Sequence, residues 1–258
     1  MTSALLRVEA GDGVATLTLD SPRNRNALST SLISELSEAF ASAVADPAVR
    51  VIVLSHTGPV FCAGADLKET AAAFDGDGTL PVVPLADLLA SLWESPKPIV
   101  ARVGGAARAG GIGLIAAADI VVCASTATFA FSEVRLGVVP AVISVPVRRR
   151  ISARAAAELF LTGDVFDAAR AAEIGLVTRV VDETALDESV AGYCESMLKG
   201  APAALGGARA LLQDATVRDE LARMADASDH YFRSAEGREG ILAHREKRPP
   251  HWIPTSRQ

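Results

Sequence analysis

Two corners rich in glycine and alanine set the strongest constraint on what this chain can fold into. The first corner, residues 61–68, follows an apolar run at residues 51–54 that predicts a buried strand, and it leads into a helix-like segment. The second corner, residues 108–113, likewise leads into an apolar helix-like segment. Because the first turn of a helix leaves backbone N–H groups without intrahelical acceptors, two such corners can direct two N–H groups at one oxygen atom. The pattern therefore predicts an oxyanion-binding site.

Strand-like and helix-like segments alternate along the chain, which favours an α/β fold. The predicted strands are residues 5–10, 14–20, 51–54, 99–103, 119–124, 128–131 and 177–181, and the predicted helices are residues 30–45, 66–73, 85–94, 112–118, 153–161 and 168–174. Residues 74–84 contain several glycines and prolines and predict a mobile surface loop. From residue 184 onward only helices are predicted, and Ala201-Pro202 separates a core of residues 1–200 from a C-terminal helical region of residues 201–258.

The composition narrows the class of protein. Half of the 258 residues are hydrophobic, which is ample for a large core, and the net charge of −6 gives no indication of general nucleic-acid binding. We expect no signal peptide at residues 1–4, and no run of 18 apolar residues predicts a membrane-spanning helix. The three cysteines lack paired spacing and the four histidines lack the spacing of metal ligands. We therefore expect a cytoplasmic protein with free thiols and no metal site.

A series of short motifs follows one order along nearly the whole chain. The motifs are Arg25-Asn26-Ala27-Leu28, Ala63-Gly64-Ala65-Asp66, Ala109-Gly110-Gly111, Ala118-Asp119-Ile120, Leu136-Gly137, Phe232-Arg233-Ser234 and Lys247-Arg248-Pro249. In this order they resemble the enoyl-CoA hydratase/isomerase (crotonase) superfamily. The resemblance implies a spiral of β-β-α turns with a C-terminal helical trimerisation region, and a homotrimer or a dimer of trimers. It also implies an enzyme of fatty acid metabolism whose substrate is an acyl-CoA thioester, with no cofactor apart from the coenzyme A of the substrate.

The resemblance also implies a role for individual residues. The N–H groups of Ala65 and Gly110 would form an oxyanion hole for the thioester oxygen, and Glu133 would be the catalytic acid/base. The expected substrate-binding residues are Arg25, Ala27 and Leu28 along the coenzyme A tail, Ala63, Asp66 and Leu67 at the adenine, and Phe232 and Lys247 from a neighbouring subunit at the nucleotide end. On residue type alone, Asp66 is better explained as the N-terminal cap of a helix than as a catalytic acid.

The chain departs from the family pattern at one catalytic position. Hydratases of the family place two glutamates over the substrate double bond; here the second position is Glu133, whereas the first is Gly113. Two carboxylates can divide the proton transfers of hydration, but isomerisation of a double bond needs only one base. Three functions therefore stay open. They are a 2-enoyl-CoA hydratase, a Δ3,Δ2-enoyl-CoA isomerase with Glu133 as its single base, and a non-catalytic acyl-CoA binder.

Residues 111–114 and 132–144 are similar to a bacterial branch assigned to methylglutaconyl-CoA hydratase, which also has glycine at the first glutamate position. In such an enzyme, Arg108 and Arg135 could face an acidic acyl group, and the alternative for both is a salt bridge to a nearby carboxylate. Glu133 follows an apolar strand pattern. We therefore expect it to be partly buried, with a raised pKa that suits an acid/base.

Overall fold

Pairs of strands followed by helices repeat along the chain and build two sheets. The computed structural model describes residues 4–74 and 80–254. The strands are β1 (Leu6–Gly11), β2 (Val14–Leu19), β3 (Val51–His56), β4 (Val60–Cys62), β5 (Ile99–Val103), β6 (Ala106–Arg108), β7 (Ile120–Ala124), β8 (Thr128–Ala130), β9 (Phe166–Asp167) and β10 (Arg179–Val181). The helices are α1 (Thr30–Ala45), α2 (Leu67–Phe74), α3 (Val82–Trp93), α4 (Gly110–Ala117), α5 (Ala141–Val147), α6 (Ala153–Thr162), α7 (Ala168–Glu173), α8 (Leu186–Leu198), α9 (Pro202–Ala210), α10 (Val217–Arg233) and α11 (Ala235–Glu246).

In the pairs β3–β4, β5–β6 and β7–β8, the first strand enters a larger sheet and the second enters a smaller one. The larger sheet has the order β1-β2-β3-β5-β7-β10 and the smaller one has the order β4-β6-β8-β9. All neighbours are parallel except β1 with β2 and β8 with β9, which are antiparallel. The pairs β3–β4, β5–β6 and β7–β8 are therefore successive turns of one spiral. This arrangement confirms the predicted α/β fold with β-β-α turns.

Both faces of the larger sheet are covered, as a mostly parallel sheet requires. Every residue of β3 is buried. Its residues Val51 and Val53 pack with Leu186 and Val190 of α8, whereas Ile52 and Leu54 belong to the main core, which also contains the apolar side of α1. Burial of each such aliphatic side chain stabilises the fold by roughly 1.5–3 kcal/mol. The buried sheet is thus the rigid base from which the corners project.

The sequence predicted the long elements and missed the short ones. Three residues of the sequence, Ser29, Thr30 and Ser31, are candidate N-terminal caps for helix α1. The helix begins after Ser29, whose side chain accepts a hydrogen bond from the Leu32 N–H at 3.2 Å, so the structure selects the first of them. Strands β4, β6 and β9 have two or three residues each, too few for a periodic signal. Consequently the first corner follows β4, not β3 directly as the sequence suggested.

Two other predictions involve residues outside the described part of the chain. The predicted loop at residues 74–84 was wrong at its ends, because Phe74 completes α2 and α3 already begins at Val82, with Pro84 in its first turn, where proline is tolerated. The rest of that loop, residues 75–79, and residues 1–3, where no signal peptide was expected, lie outside the described residues. Within residues 4–74 and 80–254, none of the helices has the length and apolar character needed to cross a bilayer.

The C-terminal helical region packs tightly on the spiral. Helix α10 lies against α3 and α5. The buried guanidinium of Arg209, in α9, forms an ion pair with Asp119 at 2.7 Å and donates hydrogen bonds to the carbonyl oxygens of Leu92 and Trp93 at the end of α3. The last carbonyls of a helix lack the full set of intrahelical donors, so Arg209 supplies additional donors at this end of α3. The division of the chain into a core of residues 1–200 and a C-terminal helical region of residues 201–258 stays a prediction.

Gly111 provides a test of how closely helix α4 approaches strand β4 of the smaller sheet. A Cβ atom at Gly111 would lie 2.6 Å from the Cβ of Cys62 in β4. We expect Gly111→Ala to lower the free energy of unfolding by about 1–3 kcal/mol, because overpacking forces the backbone apart. Denaturant unfolding measures the change.

The matched control is Gly192→Ala in α8, where an added Cβ has no neighbour within 4 Å among the described residues. We expect this substitution to raise the free energy of unfolding by about 0.5–1 kcal/mol, because alanine is the better helix former. Equal effects of the two substitutions would contradict the close packing at Gly111.

Candidate active site

The first corner is held in place by the segment that contains Arg25 and Leu28. The Leu28 N–H donates to the Gly64 carbonyl at 2.7 Å, and the Leu28 carbonyl accepts from the Asp66 N–H at 3.2 Å. The Ala63 N–H donates to the Arg25 carbonyl at 3.0 Å. These bonds form a short parallel bridge, which leaves the Ala65 N–H on the opposite side of the backbone. Three backbone hydrogen bonds therefore fix the conformation of the first corner.

Asn26 anchors this segment from within. Its side chain is fully buried; the amide oxygen accepts from the Ser21 N–H at 2.8 Å, and the amide nitrogen donates to the carbonyls of Thr57 and Val60 at 3.0 and 2.8 Å. Asn26 also has a positive φ of 53°, a conformation that asparagine tolerates better than most residues. One side chain thus joins the segment to the turn before β4.

The second corner contains a strained residue directly before α4. Ala109 has φ 46° and ψ −119°, a backbone conformation that is costly for any residue with a Cβ atom. It follows β6, and its N–H donates to the Ala130 carbonyl at 3.2 Å. This abrupt turn makes Gly110 the first residue of α4, where the N–H has no acceptor within the helix.

The two corners touch each other. A Cβ atom on Gly64, which has a φ of 89°, would lie 2.9 Å from the Cβ of Ala109. Among the described residues, neither the Ala65 N–H nor the Gly110 N–H has a hydrogen-bond acceptor. Both residues line one cavity of about 70 Å³. The predicted pair of free N–H groups is therefore present at a single cavity.

Glu133 lines the same cavity. It lies in a 3₁₀ helix, Ser132–Leu136, that follows β8, and only 7% of its surface is exposed. Its buried Oε2 atom has no hydrogen-bond partner among the described residues. Burial raises the pKa of Glu133 to about 8, because a low-dielectric environment penalises the charged form. The structure thus confirms the expected burial and raised pKa.

Apolar side chains fill the position of the missing glutamate. A Cβ atom at Gly113 would lie 2.7 Å from Cγ2 of Ile143 in α5 and 3.3 Å from Cδ1 of Leu89 in α3. Ile143 is itself buried and lines the cavity. The chain therefore has no room for a second carboxylate at Gly113, and an apolar wall stands there instead.

The structure brings together some of the other predicted site residues and not others. Leu28 and Phe232 line the cavity, Phe232 within its own chain. The predicted contact of Phe232 with the coenzyme A of a neighbouring subunit stays a prediction. Ala27 is buried beside Leu28. Arg25 is exposed and Leu67 is half-buried, both next to the first corner.

The remaining predicted binding residues have less freedom than the resemblance implied. The Ala63 and Asp66 N–H groups donate to the carbonyls of Arg25 and Leu28. The Asp66 carbonyl accepts from Thr70, so the Ala63 carbonyl is the main-chain group of this pair that is left for an adenine. The Asp66 side chain caps α2, as predicted, by accepting from the Lys68 and Glu69 N–H groups at 2.9 and 3.2 Å. Lys247 is exposed at the end of α11 and does not line the cavity.

The two candidate arginines lie outside the cavity lining. Arg108 donates to the Thr128 carbonyl at 2.6 Å and to the Thr128 hydroxyl at 2.9 Å, and it forms no salt bridge with a described carboxylate. Its contact with an acyl group stays untested. Arg135 forms an exposed ion pair with Asp164, which is the alternative. Among the described residues, no group of three or more His, Cys, Asp and Glu side chains is placed to hold a metal ion.

Sequence reasoning named no role for Asn26, Leu89, Ile143 or Ser228. Asn26 lies inside the motif Arg25-Asn26-Ala27-Leu28, and its amide side chain was the sequence signal that could have indicated a hydrogen-bonding role. Ile143 and Leu89 carried no signal, because the two apolar side chains meet Gly113 only through packing of α3, α4 and α5. Ser228 is a small polar residue on the apolar side of a helix, and it lines the cavity.

Comparisons with known proteins agree with this geometry. The family model described as enoyl-CoA hydratase/isomerase matches residues 9–254. The crystal structure of an enoyl-CoA hydratase from Mycobacterium avium superposes with a TM-score of 0.86 at 42% identity, covering 98% of this chain and 100% of that chain. Carnitinyl-CoA dehydratase of Proteus mirabilis is 30% identical over 97% of this chain and 98% of its own length. The mitochondrial enoyl-CoA hydratase domain-containing protein 3 of Rattus norvegicus is 32% identical over 93% of this chain and 82% of its own length. The chain belongs to the enoyl-CoA hydratase/isomerase family.

Proposed function

We propose that this protein hydrates a short 2-enoyl-CoA thioester. The observation that carries the proposal is the meeting of two unpaired N–H groups, from Ala65 and Gly110, with the buried carboxyl group of Glu133 at one cavity. The names of the similar enoyl-CoA hydratase from Mycobacterium avium and of the rat relative support this reaction. The small size of the cavity, about 70 Å³, favours a short acyl group.

In the proposed reaction the thioester oxygen lies in the hole formed by Ala65 and Gly110. Glu133, as a carboxylate, takes a proton from a water molecule while the water oxygen forms a bond to C3. The electron pair of the C2–C3 double bond moves through the carbonyl group, and the negative charge develops on the thioester oxygen. Each N–H donor stabilises that charge by roughly 3 kcal/mol.

The enolate then collapses to the product. Glu133, now protonated, gives its proton to C2, which restores both the thioester and the carboxylate. The same carboxyl group thus performs both proton transfers, because Ile143 and Leu89 occupy the place of a second one. A group with a pKa near 8 is suited to this double role, since it can both accept and release a proton near neutral pH.

The apolar wall at Gly113 favours a second candidate function, the Δ3,Δ2-enoyl-CoA isomerase. There Glu133 takes a proton from C2 and returns it to C4, and the oxyanion hole stabilises the dienolate between the two steps. This reaction needs one base and no water, which agrees with an apolar wall of Ile143 and Leu89.

The binding of the coenzyme A portion follows the family resemblance. We propose that Arg25, Ala27 and Leu28 contact its tail, and that Ala63, Asp66 and Leu67 contact the adenine through main-chain groups. We also propose that Phe232 and Lys247 from a neighbouring subunit contact the nucleotide end. Beyond the coenzyme A of the substrate, no cofactor is proposed.

Assembly and location are proposals as well. We propose a homotrimer or a dimer of trimers in the cytoplasm, and the exposed Leu211 and Leu212, at 87% and 81%, support burial of that surface by a partner. Similarity to the methylglutaconyl-CoA hydratase branch stays a prediction. The positions of Arg108 and Arg135 outside the cavity lining argue against an acidic acyl group.

Glu133→Gln tests the catalytic role. We expect the variant to lose hydration of 2-butenoyl-CoA by about 10²–10⁴-fold in kcat, because the amide cannot transfer protons. Loss of the conjugated thioester absorbance measures hydration, and conversion of 3-enoyl-CoA to 2-enoyl-CoA measures isomerisation.

The control is Glu188→Gln, an exposed residue of α8, which we expect to leave both rates unchanged. Glu133-dependent isomerisation without hydration would assign the second function. Tight acyl-CoA binding with no turnover by either assay would reject both reactions and leave a binding protein.

The raised pKa of Glu133 predicts a specific pH dependence. Because the free enzyme must hold Glu133 as a carboxylate, we expect kcat/KM to rise with pH through about 8 and then to level off. The value near pH 7 should be about tenfold lower than the value near pH 9. Initial rates at low substrate concentration, with circular dichroism as a check of folding at each pH, measure the profile. A midpoint near the ordinary glutamate pKa would contradict the burial of this carboxyl group.

A further inference from the structure

Ser228 is a buried hydroxyl group without a protein partner. It lies on α10, only 6% of its surface is exposed, and it lines the cavity that holds Ala65, Gly110 and Glu133. Its Oγ atom forms no hydrogen bond to any described residue. The Oγ atom itself keeps some accessible surface, because it is not among the fully buried side-chain atoms that lack a partner. A ligand or a water molecule in the cavity can therefore complete its hydrogen bonds.

Four other serines inside helices of this chain satisfy their hydroxyl groups within the helix. The hydroxyl groups of Ser37, Ser42, Ser91 and Ser196 each donate to the carbonyl four residues earlier, at 2.7–2.9 Å. This back-bonding is the usual way in which a helical serine satisfies its own hydroxyl group. Ser228 differs from them by facing a cavity, so its hydroxyl group is available to whatever fills that space.

The remaining polar groups of the lining are already assigned. The Thr70 hydroxyl donates to the Asp66 carbonyl at 2.8 Å, and Glu133 is the proposed acid/base. The other described side chains of the lining are aliphatic or aromatic, and none is a lysine or an arginine. A negatively charged acyl group would therefore be buried without a counter-charge, which is strongly unfavourable. The chemistry around Ser228 suits a neutral polar group.

We propose that Ser228 is a specificity-determining residue that binds a neutral hydroxyl or carbonyl group on the acyl chain of the substrate. The proposal deepens, and rests on, the proposed enoyl-CoA hydratase function. It assigns the substrate class as a short acyl-CoA with an uncharged hydrogen-bonding substituent, in place of a plain hydrocarbon chain or a dicarboxylic acyl group. A few such polar contacts in an otherwise apolar pocket are how binding sites select orientation and substrate.

The test measures binding of saturated thioesters, which cannot be hydrated, by titration calorimetry. Each pair exchanges a hydroxyl group for a methyl group of similar size: 4-hydroxybutyryl-CoA against pentanoyl-CoA, and 5-hydroxypentanoyl-CoA against hexanoyl-CoA. We expect the wild-type protein to bind the hydroxy member of at least one pair about tenfold more tightly, since its hydroxyl group pairs with that of Ser228. Succinyl-CoA and glutaryl-CoA should bind at least about tenfold more weakly than that hydroxy thioester.

Ser228→Ala should remove the preference by weakening only the hydroxy thioester. The matched control, Ser196→Ala, removes an exposed back-bonded serine and should keep the preference. Thermal unfolding of both variants confirms that they fold.

Three results would overturn the proposal. They are no preference in the wild type, a preference that survives Ser228→Ala, and a loss of kcat for plain 2-butenoyl-CoA with binding unchanged, which would make Ser228 a ligand of the attacking water. Absence of hydration together with an intact, Ser228-dependent preference would reject the proposed reaction and keep the assignment of Ser228. The two failures are therefore distinguishable.

Discussion

Close contact between the two strand-to-helix corners is the constraint on which the rest of the site depends. Gly64 lies against Ala109, and Gly111 lies against Cys62, at separations that leave no room for an additional Cβ atom. This contact brings the ends of β4 and β6 side by side, so that α2 and α4 begin at the same cavity. The strained backbone of Ala109 is tolerated because β6, β8 and the buried start of α4 hold it on both sides. The Ala65 N–H, just before α2, and the Gly110 N–H, at the start of α4, are thereby presented to one cavity.

Burial gives the site its chemical character. Glu133 has an uncompensated carboxyl oxygen in an apolar environment, which costs stability and raises its pKa into the range where it can exchange protons at neutral pH. Ile143 and Leu89 increase this effect, because they replace a second polar group with hydrocarbon. The departure at Gly113 is therefore matched by the packing around it, and the site is built around a single carboxyl group.

The C-terminal helices complete the cavity. Helix α10 contributes Phe232 and Ser228, and the hydrogen bonds of Arg209 to the end of α3 attach the preceding helix α9 to the spiral. The spiral thus supplies the groups proposed to act on the thioester. Part of the cavity wall proposed to surround the acyl group comes from α10, which is distant in sequence. A change in α10 can alter which acyl group fits and leave the oxyanion hole intact.

The sequence by itself determined the long helices and strands, the two corners, and the pairing of Glu133 with Gly113, because each depends on local periodicity or on a motif. It did not determine β4, β6 and β9, which exist only through pairing with strands that are distant in sequence. Only the tertiary structure decided that Phe232 lines the cavity of its own chain, that Arg108 bonds to Thr128, and that Ile143 fills the space beside Gly113. The physical reason is the same in each case. Side-chain packing and hydrogen bonding join residues that only the fold brings together, and such contacts produce no periodic pattern in the sequence.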